Sequence, residues 1–180
     1  MSRPREPKPA KLFVSVISAA PERIARVLVE LAERYGPMDF VSAVLPFDYT
    51  DYYYPEMGTP LWRRFASFVS LISQGGLVRI KEETNELEGR MSEGGRRSVN
   101  IDPGYLLAER LVLATGKNCA HRIYLDHGIY ADLTLVFQQK TYRPLPWTYP
   151  DYGDERVRRW LGVLRQKYLL QLREAERLPV

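Results

Sequence analysis

Three features of this chain predict an α/β (α+β) fold. A β-branched run near the N-terminus leads straight into an amphipathic stretch of helical period. Strand and helix patterns then alternate again, and a Gly-centred hairpin precedes a long apolar helical stripe. In order, the elements read as a ferredoxin-like β-α-β-β-α-β core, extended by a β-hairpin and a C-terminal helix.

Residues 11–19 alternate Phe13, Ser15, Ile17 with Leu12, Val14, Val16, the pattern of a buried strand. Pro21 opens a helix, where its missing N–H costs nothing, and Ile24, Val27, Leu28, Leu31 and Tyr35 follow at helical spacing up to the Gly36–Pro37 stop. Residues 39–47 read as a second strand, with Pro46 marking an edge. A loop rich in Tyr and carboxylates follows over 48–59. Residues 61–72 fit helix or strand. Strand is preferred, because Gly75–Gly76 separates them from a better helix at 77–91, which carries Leu77, Ile80, Thr84, Leu87 and Met91 on one face. Residues 97–101 form a short strand ending at Asp102–Pro103–Gly104, and 106–115 fit either class. Residues 122–125 and 129–137 flank Asp126–His127–Gly128 as a three-residue hairpin connection, which sets Arg122 opposite Asp132 and Tyr124 opposite Tyr130. Asp154 is an N-cap for a helix with Val157, Trp160, Leu161, Leu164 and Tyr168 on its apolar stripe.

The chain of 180 residues, 45% hydrophobic and 27% charged, suits one domain over 1–180 and excludes a disordered polymer. No apolar run approaches the roughly 20 residues of a membrane span. Residues 1–10 read as a flexible basic arm without a secretory h-region. Cys119 is the only cysteine, which rules out an intrachain disulfide and a four-cysteine zinc site. A cytoplasmic protein is expected. The net charge of +4 is concentrated at the ends: residues 1–11 carry +3 and residues 154–180 carry +3, leaving the body at −2. Nucleic acid is therefore expected to bind weakly at most, through those ends.

Several segments, FDYTDYYYPEMG (47–58), IKEETNELE (80–88), VNIDPGYL (99–106), LVLATGK (111–117), HRIYLDHGIYADLTL (121–135) and PWTYPDY (146–152), resemble the domain-of-unknown-function family numbered forty-four sixteen. The resemblance spans nearly the whole chain and implies no activity. Some members carry a "GTP-binding protein" label, which the residues do not support. The string nearest to a P-loop, Ala114 to Asn118, lacks both the upstream Gly spacing and the hydroxyl that holds Mg²⁺.

Four places could carry chemistry. The 48–59 loop offers Asp48 and Asp51 for acid–base or metal work, and Tyr49 and Tyr54 for stacking. Lys81, Asn85 and Glu88 share one helix face, where the Lys could orient an anion and the alternative is a solvated surface. Asn100 and Asp102 share one strand face, as a site or as a turn. Lys117, His121 and Arg122 precede the hairpin, and His121 is the better placed of only two histidines. No HxxxH, HxxE or CxxC spacing marks a metal site, and nothing names a cofactor.

These groups predict a domain that binds a small polar ligand, anionic or phosphorylated. Two alternatives stay open. One is a hydrolase or transferase using Asp48, Asp51, Asp102 and His121, with or without Mg²⁺. The other is a non-catalytic interaction module presenting its tyrosines and the PWTYPDY segment. Oligomeric state is not readable.

Overall fold

The first strand, β1 (Ala10–Ser18), is buried along its whole length because it runs through the middle of the sheet. In this computed structural model, which describes residues 3–177, β1 is paired on both sides, antiparallel to β4 (Leu61–Ile72) and to β5 (Val99–Leu106). Its two side-chain rows serve different layers. Leu12, Val14 and Val16 pack with Ile24, Val27, Leu31, Ile80 and Leu87, which belong to α1 (Pro21–Tyr35) and α3 (Leu77–Arg90). Phe13 faces the other way, into a cluster with Phe65, Leu113, Leu135, Tyr142, Tyr152 and the buried stripe of α5 (Glu155–Arg177).

Among the described residues the sheet has nine strands. The path runs β2 (Met38–Val41), β4, β1, β5, β6 (Arg110–Thr115), β8 (Ile129–Gln138), β7 (Arg122–Asp126). β3 (Leu45–Phe47) also pairs with β4, and β9 (Thr141–Pro144) with β8. Two single-turn helices, α2 (Tyr54–Met57) and α4 (Pro150–Gly153), complete a mixed α/β architecture on an antiparallel sheet. No helix among the described residues is long and apolar enough to cross a membrane.

Residues 61–72 are a strand, in keeping with their alternation. The expected strand over 39–47 is instead two, because Ser42 Oγ accepts the Phe65 N–H at 3.0 Å and interrupts the regular ladder. The strand expected to stop at Ile101 continues through Asp102–Pro103–Gly104 to Leu106, and of residues 106–115 the segment Arg110–Thr115 turns back as β6. Lys11 contributes to the basic N-terminus in sequence but is sealed inside the molecule. Its ammonium donates to Phe68 O and Gln171 Oε1, both at 2.9 Å, and pairs with Asp39 at 2.6 Å. Of the arm, Met1 and Ser2 lie outside the described residues, residues 3–9 are exposed, and Pro9 O accepts the Tyr168 hydroxyl.

The hairpin has a two-residue turn, not three. His127 and Gly128 take φ values of 50° and 75°, the type I′ pattern that matches strand twist. A bulge at Leu125 absorbs the extra residue, so Arg122 still faces Asp132, Ile123 faces Ala131, and Tyr124 faces Tyr130. Asp154 caps α5 through Oδ1, which accepts the N–H groups of Arg156 at 2.8 Å and Val157 at 3.4 Å.

Candidate functional site: a cleft where the sheet divides

Pro103 determines where the sheet opens. Backbone groups of alternate residues in a strand point the same way, and the Ile101 amide points away from β1. Pro103 therefore faces the β6 side, where it has no N–H to give. The β5–β6 ladder runs only from Leu106–Leu111 to Gly104–Leu113, and beyond it the strands diverge. Gly104 stands at the junction because a Cβ there would meet Val112 O at 2.3 Å.

Helix α3 covers the bared edge of β5. Lys81 Nζ donates to Ile101 O at 2.9 Å, and Glu88 Oε1 accepts the Ile101 N–H at 2.7 Å. Spacing of i and i+7 brings both side chains to one strand residue, so this helix face substitutes for a missing strand. Burial raises the Glu88 carboxyl above its ordinary value, against the pull of Lys81.

Next to this division lies a cleft of about 610 Å³. Its inner part is formed by Arg63, Asp102 and Tyr152, and α3 contributes Lys81, Asn85 and Glu88. Tyr49, Tyr52 and Tyr53 come from the loop after β3, Thr115 to Lys117 from the end of β6, and Arg122, Asp132 and Tyr149 from the hairpin side.

Of the residues singled out from sequence, Tyr49, Lys81, Asn85, Asn100, Asp102, Lys117 and Arg122 line this cleft. Asp48 and Asp51 stand exposed on the neighbouring loop and do not line it. Tyr54 is half-buried against Ile17, Phe47, Met57 and Leu61. His121 lies behind the wall: its Nε2 is 3.2 Å from Asp132 Oδ2, and its ring stacks on Trp147 at 4.9 Å. The set Asp48, Asp51, Asp102 and His121 is thus not assembled in one place. Among the described residues no group of three or more His, Cys, Asp or Glu side chains could hold a metal ion.

The guanidinium of Arg122 is heavily used. Nε donates to Asp132 at 2.9 Å, and the remaining nitrogens donate to Lys117 O at 2.9 Å and the Tyr149 hydroxyl at 3.0 Å. Arg63 and Arg97 had not stood out in the sequence. Arg63 is buried, pairs with Asp151, and lies over the rings of Phe47 at 4.5 Å and Tyr152 at 5.3 Å. Burial pulls its pKa down, while the surrounding tyrosine and carboxylate oxygens push the other way. A signal was present: alternation places Arg63 on the same strand face as Leu61 and Phe65, and a cation on an apolar face is informative. Arg97 donates to Glu56 at 2.5 Å and to Asn100 Oδ1 at 3.2 Å.

Among the described residues Arg63 Nε has no hydrogen-bond partner, and it is sealed just below the cleft surface with Tyr152 Oη and Ser15 Oγ, which have only each other. Adjacent tyrosines in the loop differ sharply. Burial drives the Tyr53 phenol upward, whereas a 2.6 Å hydrogen bond from Lys117 Nζ lowers Tyr52. The Lys117 ammonium also lies 3.9 Å from the centre of the Tyr52 ring, a cation–π contact.

No curated protein and no solved structure matches the chain. Residues 8–168 match the family described as Domain of unknown function (DUF4416), and the chain belongs to that family.

Proposed function

We propose that this domain binds a small polar molecule in the cleft beside the β5–β6 division. The observation that carries the reading is convergence: charged, amide and tyrosine side chains from eight stretches of chain line one cavity of about 610 Å³. Ligand sites of this size combine aromatic walls with a few placed polar groups. Catalysis by a carboxylate–histidine set receives less support, since Asp102 alone of that set lines the cavity. The order β2-β4-β1-β5, with α1 and α3 packed on one face, supports reading the first half as a ferredoxin-like unit to which the later strands are added. The lone Cys119 fits a cytoplasmic setting. Burial of Lys11 weakens the case for a phosphate-binding arm.

Native mass spectrometry of freshly purified protein, with a thermal-shift screen of polar metabolites, tests the reading. A bound small molecule, or a shift lost on closing the cavity with Asn85→Trp, is the expected result. No bound species and no shift from any polar compound would sink it.

A further inference from the structure

The pairing of charges around the cleft leaves two of them over. Arg63 is matched by Asp151 and Arg122 by Asp132. Arg97 is matched by Glu56, and Lys81 has Glu88 at 3.9 Å. Among the described residues, Asp102 is the lining carboxylate with no cation within 4 Å; it accepts from the Asn100 side-chain amide at 2.8 Å. Lys117 is the lining cation with no carboxylate within that distance, and its ammonium rests on Tyr52.

The two leftover groups have different settings. Asp102 lies in the inner part, half-buried, among Tyr53, Tyr152 and Arg63, whose charged states it influences. Lys117 is exposed at the mouth. A free anion entering the inner part would meet Asp102, Asp151 and Glu88, while Arg63 is already committed. It would pay desolvation without gaining an unpaired cation. A group carrying N–H donors or positive charge meets the opposite situation, an acceptor carboxylate bordered by aromatic faces.

We propose that the cleft selects a dipolar ligand, with a cationic or N–H-rich group against Asp102 and an anionic group against Lys117. The inference rests on the reading of this cleft as a ligand site. It replaces the expectation of a simple anion, because, of the cations that suggested one, Lys81 and Arg122 are taken by neighbouring carboxylates and Lys117 stands exposed at the mouth. Tyr49 and Tyr53 also line the cleft and supply flat faces, which suits a planar donor group. A nucleobase amine edge with a phosphate tail has this chemistry, and so does a guanidino amino acid.

Four probes separate the possibilities by calorimetry on the full chain. Cytidine 5′-monophosphate and L-arginine carry both ends, inorganic phosphate carries the anion alone, and agmatine carries the cation alone. At least one dipolar probe is expected to bind about tenfold more tightly than phosphate or agmatine, the scale of one hydrogen bond to a charged group. The preferred dipolar probe identifies the source, nucleotide or amino acid. Asp102→Asn should weaken that probe about tenfold, and Lys117→Met by a smaller factor, with both variants unfolding in urea near the wild-type midpoint. Phosphate binding as tightly as either dipolar probe, and unharmed by Asp102→Asn, overturns the inference while leaving the cleft as a site. Silence from all four probes also overturns it. The broader reading falls only if polar metabolites at large give no response either.

Discussion

The two ends of β1 bury polar groups in opposite ways. At its start, Lys11 uses its ammonium in full on Phe68 O, Gln171 and Asp39, and Asp39 accepts a further 2.6 Å bond from Ser67. Toward its other end, among the described residues, Arg63 Nε has no partner, Ser15 Oγ and Tyr152 Oη have only each other, and Asp102 is held by one amide. Burial alone therefore does not distinguish structure from site. What separates them is whether the hydrogen-bonding capacity is closed internally: Lys11 sits in a finished network, and Asp102 in an unfinished one.

Removing one partner at each end tests this contrast most directly. Asp39→Ala strands the Lys11 ammonium without its counter-charge and should cost about 3–5 kcal/mol in urea unfolding. Asp102→Asn keeps an acceptor oxygen for the Asn100 amide and should cost less, about 1 kcal/mol or under. Equal costs would break the comparison. Gly104→Ala comes next, at about 1–3 kcal/mol, because the new methyl collides with Val112 O and Leu113 at the point where the sheet divides.

A pH series sharpens the picture. The Glu88 carboxyl is raised above its ordinary 4.5 by burial, so just above pH 4.5 the unfolded chain has released a proton that the folded chain keeps. The Glu88 contribution is complete below pH 4.5 and is lost as pH climbs through the raised value. Glu88→Gln keeps an acceptor for the Ile101 N–H and should flatten that decline in denaturation curves measured across this range. The smallest effect is spectroscopic. Tyr52 should ionise ahead of Tyr53 in an ultraviolet titration, and Lys117→Met should move it back up.

Much of the fold was legible because periodicity reports burial. The alternation of β1, the stripe of α1 and the Asp154 cap all follow from local pattern. Pro103–Gly104 misled for a physical reason: the pair is a common turn signature, but here its missing donor faces a gap that α3 fills, so the strand continues. Lys11 misled in the same manner, since its partners Asp39 and Gln171 are 28 and 160 residues away in the chain. Within the cleft, the residue types of Lys81, Asp102 and Lys117 could be read from sequence. Their remaining valence could not, because it depends on side chains such as Glu88 and Tyr52 that only the fold brings near.

The bulge at Leu125 has a consequence for the molecule in crowded solution. Strand β7 is the outermost strand on its side, and Ile123 and Tyr124 are 68% and 57% exposed. A straight strand with that composition is a template onto which another chain can add. The bulge twists the ladder between Tyr124 and Asp126 and spoils the template without disturbing the Arg122–Asp132 pairing. Deleting Leu125 would leave a regular two-residue hairpin with the same facing residues and a flatter rim. Light scattering at rising concentration should then report growing assemblies, the outcome expected where one unpaired residue guards an edge strand.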